Sequence, residues 1–448
     1  MDKSKKRIKL SPLQILVLGY LFITIIGAIL LSLPIASSKG SHQPFIDALF
    51  LSTSGISTSG LTVVDIGSYY SLFGQIVLMC IFQIGGIGYM TFVVFIAYIL
   101  GTQLSLNARI VAKESMATDQ PHKLGSFFKK VLLYTFIFEF IGAFILAIFW
   151  SNKYSISHSI YLGIFHSVSA FCTAGFSIFS SSLINYKTSL VVNLTIDIIS
   201  ILGGIGFFVL IDLNNYIYKK FKKISPRRLT VHSRMALLVT FFVILMGGII
   251  ILISEKWSVS MSSYDRILIS FFQSISASTT DGFNSIDIGA MSAASLTVLM
   301  ILMFVGASPG STGGGIKTTT LGTLFVSVKS YLQDKRTVNI FERELPLKTI
   351  IKASSVFCLF IIVVFVDVII LANTEKASYI QTLFEIISAL GNTGLSTGIT
   401  PDLTTIGKVV LTITMFIGRV GPLTIGTAFI TKPKLVLLRY PKEDIFIG

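Results

Sequence analysis

Residues 50–62 read FLSTSGISTSGLT, residues 165–177 FHSVSAFCTAGFS, residues 272–284 FQSISASTTDGFN and residues 384–396 FEIISALGNTGLS. Laid over one another without a gap, they align Phe50, Phe165, Phe272 and Phe384, then Ser54, Ser169, Ser276 and Ser388, then Gly60, Gly175, Gly282 and Gly394. The glycines lie 115, 107 and 112 residues apart. A period of that length, kept in register four times, marks an internal fourfold repeat.

Each quartet member sits in the same surroundings. Apolar runs at 13–33, 131–150, 235–254 and 350–372 are long enough to span a bilayer as helix. About a dozen residues then precede the glycine, too few to cross a core that needs roughly 20 as helix, so this piece reads as a half-helix. A polar stretch follows, with Asp65, Asp287 and Asp402, and a second long apolar segment starts near Leu72, Leu190, Leu296 and Ile406. The expected fold is an all-α integral membrane protein: four tandem helix, half-helix, helix units around one pseudo-fourfold pore, with eight spanning helices. The units are expected at 11–100, 126–224, 231–333 and 349–431, with a basic stretch at 1–10 and a tail at 432–448.

Composition agrees with lipid as the solvent: 52% hydrophobic residues, 13% charged, 36 Phe and a mean hydropathy of +0.80. The net charge of +15 would suggest nucleic acid in a soluble domain. Its placement says otherwise. A unit with two spans and one re-entrant piece returns the chain to its starting side, and 28 of the 36 Lys and Arg lie in the termini and in the stretches 109–130, 219–234 and 317–352 where one unit passes to the next. Those segments are therefore expected on the cytoplasmic side of the cell membrane, and nucleic acid is not needed. Lys3, Lys5, Lys6, Arg7 and Lys9 resemble the start of a secretory signal, yet the run after them begins the first unit, so it is expected to stay as a span. Cys80, Cys172 and Cys358 have no close-spaced partners and are expected as buried apolar residues; the five His lack metal-ligand spacing.

Irregular backbone at membrane depth is tolerated only where protein or a wet cavity receives it, because unpaired amide groups in lipid cost several kcal/mol. Four glycine-centred strips should thus face a common axis. The carboxyl ends of four half-helix dipoles would converge there and favour a cation, and glycine would let carbonyl oxygens replace its hydration shell. The candidate ion-binding residues are Thr58-Ser59-Gly60-Leu61, Thr173-Ala174-Gly175-Phe176, Thr280-Asp281-Gly282-Phe283 and Asn392-Thr393-Gly394-Leu395.

These strips resemble the filter segments of the Trk/Ktr/HKT superfamily of potassium transporters. Over nearly the whole chain the resemblance is greatest to the KtrB/KtrD type of membrane subunit. It implies potassium as the transported ion, sodium as an activator, a homodimer, and a cytosolic ring of nucleotide-binding RCK-type regulators of the KtrA/KtrC kind. By the same resemblance Tyr440 to Gly448 would lie in the dimer interface. Compared with the TVGYG of potassium channels, each unit keeps only the central glycine, which implies looser discrimination against sodium.

In the third unit, residues 306–317 read Gly306-Ala307-Ser308-Pro309-Gly310-Ser311-Thr312-Gly313-Gly314-Gly315-Ile316-Lys317. No helix runs smoothly through that composition. A kinked helix or a linker is the plain reading. The functional one is an intramembrane loop that obstructs the pore, as the corresponding loop does in the family. A phosphate loop fails, since Ile316 separates Gly315 from Lys317 and no strand precedes. Shared bending points at 85–88, 203–206 and 418–421 support the loop. Gly418 and Gly306 both lie 24 residues after their strip glycine, which puts Arg419 near the loop. An intramembrane charge is a functional candidate by default. The gate candidates are accordingly Gly306, Pro309 to Gly315, Lys317 and Arg419, and the other reading of Arg419 is an ion pair with Glu139, Asp197 or Asp367. Asp281 either draws cations to the outer mouth or caps its half-helix. No catalytic constellation is present. From another functional class, a coupled cation symporter remains the alternative, although such carriers are usually built from two related halves.

Overall fold

Helix follows half-helix follows helix through the computed structural model, which describes residues 12–88, 124–225, 228–429, 441 and 443. The basic stretch 1–10, the end of the first unit at 89–100 and nearly all of 432–448 lie outside the described residues. The first unit contains α1 (Pro12–Ser32), α2 (Phe45–Ser57) and α3 (Leu72–Ile87). The second contains α4 (Leu124–Trp150), α5 (Ile156–Phe171), α6 (Leu190–Gly204) and α7 (Phe207–Phe221). The third contains α8 (Val231–Ser254), α9 (Ser263–Thr279), α10 (Ala293–Val305) and α11 (Thr318–Leu332). A small hairpin, Asn339–Ile340 against Arg343–Glu344, leads into α12 (Leu347–Thr374), α13 (Tyr379–Gly391), α14 (Thr405–Val420) and α15 (Pro422–Phe429).

The first helix of every unit is long and apolar enough to cross a membrane. Its outward face carries Phe22, Phe136, Phe140, Phe241 and Phe365, each at least 60% exposed, a belt that water would not solvate. Hydroxyls dock the half-helices onto these helices. Ser52 donates to the Thr24 carbonyl at 2.7 Å, Ser167 to Glu139 at 2.7 Å and Ser274 to Ile244 at 2.8 Å. Every second helix starts on a hydroxyl cap, since Ser71, Ser189, Ser292 and Thr404 each accept from the amide three residues on.

Of the eight expected spans, four are continuous helices and the other four stop short. α3, α6, α10 and α14 run for only 16, 15, 13 and 16 residues. The sequence points to a full interruption in the third unit and to shared bending points at 85–88, 203–206 and 418–421; at the second of these α6 and α7 are bent by 97°. The reason is one backbone state. Gly88, Gly206 and Gly421 have φ of 84°, 96° and 89° with ψ of 124°, 136° and 129°, outside the range of a helix.

The units close on themselves. α3 packs on α5 of the next unit, α6 on α9, α10 on α13, and α14 returns to α2. Each second helix therefore supports the half-helix of its successor, and the ring is complete within one chain.

Candidate functional site: a ring of four glycine strips

All four half-helices end in the same cap. Thr58, Thr173, Thr280 and Asn392 stand in the left-handed region at φ of 56°, 50°, 59° and 53°. Their amides donate to Gly55, Ala170, Ala277 and Ala389 at 3.0–3.3 Å. The next amides, of Ser59, Ala174, Asp281 and Thr393, reach back to Ser54, Ser169, Ser276 and Ser388 at 2.7–2.9 Å. This is a Schellman motif, with Thr or Asn where glycine is usual. It consumes the first two amide hydrogens of each strip inside its own half-helix.

The repeat serines add a second tie. Ser276 Oγ accepts the Gly282 amide at 3.1 Å and Ser388 Oγ the Gly394 amide at 3.0 Å. Ser54 and Ser169 hydroxyls find no partner among the described residues. Ser388→Ala is therefore expected to lower the thermal midpoint of the detergent-solubilised protein, since the part-buried Gly394 amide loses a hydrogen bond that contributes about 0.5–1.5 kcal/mol of stability. Ser54→Ala should change it far less.

The strip glycines meet in cyclic order. A Cβ on Gly60 would lie 2.5 Å from the Ala174 carbonyl oxygen and 3.4 Å from Gly394 Cα. On Gly175 it would strike the Asp281 carbonyl and come 3.0 Å from Gly282 Cα. On Gly282 it would meet the Thr393 carbonyl, and on Gly394 the Ser59 carbonyl, with Gly60 Cα at 2.8 Å. First to second, second to third, third to fourth and fourth to first, main-chain oxygens and glycine Cα atoms surround one axis. Leu61, Phe176, Phe283 and Leu395 are buried behind it, Phe176 stacked on Phe82 with centroids 5.5 Å apart.

The loop of the third unit lies at the deep end of these strips. The Thr58 hydroxyl donates to the Thr312 carbonyl at 3.1 Å, Thr173 Oγ1 is 3.1 Å from Thr312 Oγ1, and the Gly314 amide donates to Thr280 Oγ1 at 3.0 Å. A Cβ on Gly314 would lie 2.7 Å from Asn392. All four left-handed residues thus touch or border one segment. The loop is folded on itself, Ala307 N donating to Gly314 O at 3.2 Å, and Gly306 adopts φ 64°, ψ −164°, a glycine conformation. It is tied to the bend of the second unit by Ser308 N to Gly204 O, Thr312 N to Gly203 O and Phe207 N to Gly310 O, at 2.9–3.2 Å. Pro309 borders the same bend, its carbonyl 2.7 Å from where a Cβ on Gly206 would stand, and the Ser311 hydroxyl has no partner among the described residues.

Two cations hold this loop. The Arg419 guanidinium donates to the carbonyls of Thr312 and Gly85, with Gly313 and Gly86 oxygens at 3.4 Å. Lys317 Nζ donates to Gly313 O at 2.7 Å and Gly314 O at 2.9 Å. Two of the expected ion-pair alternatives for Arg419 are engaged elsewhere, Glu139 accepting from Gln83 at 2.8 Å and Asp367 from Thr414 at 2.6 Å, and among the described residues Arg419 forms no ion pair with Asp197. The 24-residue alignment of Gly418 with Gly306 gives way to another register. Lys317, at φ 85° and ψ 134°, has the backbone of Gly88, Gly206 and Gly421, which matches Gly314-Gly315-Ile316-Lys317 to Gly418-Arg419-Val420-Gly421.

Two expectations change. The Asp281 carboxyl does not face an outer mouth; it is 1% exposed and accepts from Ser200 at 2.5 Å. Cys172 is buried as expected, but Cys80 and Cys358 are exposed on the apolar exterior, because sequence hydrophobicity does not separate a protein interior from a lipid-facing surface. The sequence reading also passes over His166, Gln273 and Glu385. The signal for them is positional, since each directly follows a repeat phenylalanine.

The family model of TrkH, described as cation transport protein, matches residues 11–437. The chain is 37% identical to Ktr system potassium uptake protein B of Bacillus subtilis, over 100% of this chain and 99% of that one. It is 36% identical to Ktr system potassium uptake protein D of the same organism, over 98% of each, and 34% identical to the potassium/sodium uptake protein NtpJ of Enterococcus hirae, over 100% and 99%. The crystal structure of the potassium transporter TrkH from Vibrio parahaemolyticus shares the fold, with a TM-score of 0.72 at 20% identity, covering 96% of this chain and 87% of that one. Four half-helices closing one ring in a membrane-spanning chain, together with these full-length matches, place the protein in the TrkH family of cation transport proteins.

Proposed function

We propose that this chain is the membrane subunit of a potassium uptake system, passing the ion along the axis ringed by Gly60, Gly175, Gly282 and Gly394. The carrying observation is the closed cycle of main-chain oxygens at that axis: those of Ala174, Asp281, Thr393 and Ser59 each border the glycine of a neighbouring strip, where carbonyls can replace ion hydration. Loop 306–317, pinned by Arg419 and Lys317, acts as the gate, and its fixed positive charge raises the barrier to cations in the closed state. Sodium serves as an activator. The chain works as a homodimer on a cytosolic RCK-type ring, with both termini cytoplasmic; the concentration of basic residues in termini and linkers supports that orientation.

The test is tracer flux into vesicles carrying the purified chain, with sodium and pH equal on both sides and a potassium gradient as the only drive. Potassium is expected to flow under these conditions, because a pore needs no second ion gradient. Flux that appears only with an imposed sodium or proton gradient would instead establish the coupled symporter.

A further inference from the structure

Directly after each repeat phenylalanine, one position changes chemistry from unit to unit: Leu51, His166, Gln273, Glu385. All four side chains are buried, at 0%, 0%, 0% and 1% exposure. The three polar ones reach past the strip glycine to the chain beyond it. His166 Nε2 lies 3.0 Å from Ser177 Oγ, and Gln273 Nε2 donates to Ser285 Oγ at 3.3 Å. Glu385 Oε1 accepts from Ser396 Oγ at 2.5 Å and from the Thr397 amide at 3.0 Å, while its Oε2 accepts from Thr400 Oγ1 at 2.9 Å. Ser177 and Ser396 are two residues after their glycines, Ser285 and Thr397 three.

A strip of backbone holds its carbonyls at fixed separation only if both ends are fastened. The upstream end is fastened identically in all four units by the half-helix cap. The downstream end is fastened unequally: by a carboxyl with several donors in the fourth unit, by one hydrogen bond in the second and third, and by no such bond from Leu51 in the first. We propose that Glu385, Gln273 and His166 are positioning residues that set the width of the ion path, so that preference for potassium over the smaller sodium depends on them and on Glu385 most. The inference rests on the strips being the ion path, as proposed above.

Wild type, Glu385→Leu, Glu385→Gln and Gln273→Leu are to be compared in vesicles for KM and maximal rate with potassium and with sodium. The first unit already buries leucine at this position, so Glu385→Leu brings a side chain the fold accommodates there while depriving the Thr397 amide of its acceptor and leaving the Ser396 and Thr400 hydroxyls, 2.8 Å apart, only each other. The potassium-over-sodium preference is expected to fall roughly 3- to 10-fold in Glu385→Leu, and less in Gln273→Leu. Glu385→Gln, whose amide oxygen still accepts, should restore part of it. A merely structural role would reduce folded protein and maximal rate and leave the preference unchanged; that result overturns the proposal. If Glu385→Leu fails to accumulate, the same ratio measured on Glu385→Gln and Gln273→Leu decides. Wild type that passes no potassium would overturn the proposed function itself, whatever the ratios.

Discussion

Removal of residues 310–315 is expected to raise potassium flux roughly tenfold or more, the factor carried by about 1.4 kcal/mol of barrier. These residues include the Thr312 carbonyl that accepts from Thr58 and Arg419, and the Gly314 amide that donates to Thr280. They also include the Gly310 carbonyl and the Thr312 amide that fasten the loop to the bend between α6 and α7. Without them the loop loses its contacts to Thr58 and Thr280, and of the Arg419 contacts those to Gly85 and Gly86 remain. Arg419→Gln should give a smaller rise in the same direction, since it removes one charge-assisted anchor and leaves the loop's own hydrogen bonds. Tracer flux at matched protein amounts checks both. A deletion variant that is present at normal levels and conducts like wild type would remove the gate assignment.

Gly282→Ser is expected to cut potassium uptake roughly 100-fold, equivalent to about 2.7 kcal/mol. Gly282 has φ 89°, and a Cβ there would collide with the Thr393 carbonyl of the neighbouring strip and sit 3.3 Å from Gly394 Cα. Two effects combine, backbone strain of about 1–3 kcal/mol and displacement of an oxygen that lines the axis. Gly398→Ser separates them. Gly398 has φ 96°, yet a Cβ there meets nothing within 4 Å, so this variant carries comparable strain without obstruction. It should retain most uptake in cells lacking their own potassium systems. Equal losses in the two variants would assign the effect to strain alone and remove Gly282 from the ion path.

The repeat was legible because each of its marks answers a separate physical need. Phenylalanine anchors the half-helix in the core, serine is small and polar enough to sit buried beside the cap and in the third and fourth units receives the glycine amide, and glycine permits carbonyls of neighbouring strips to approach. Such needs recur in every unit, so they leave a period. The long first helices were legible for the same reason, their hydropathy being set by lipid. The bending points of the second and fourth units were legible as glycines, but that each ends its helix outright was not, because a single glycine at φ 96° or 89° does this as effectively as the glycine-rich loop. The direction of Asp281 was hidden because it depends on Ser200, 81 residues away. Arg419 was recognisable as a buried charge, but its acceptors are carbonyls of the first and third units, and a carbonyl leaves no trace in residue type.

The closure of α14 onto α2 within one polypeptide has an evolutionary corollary. Four identical separate subunits would have to duplicate any insertion fourfold, and a symmetry axis offers room for a single plug. Covalent fusion lifts that restriction, so one lobe carries a loop that its siblings lack while another supplies the arginine that holds it. It also means that a point mutation alters one strip of the ring and leaves three intact, a finer step than a true tetramer permits.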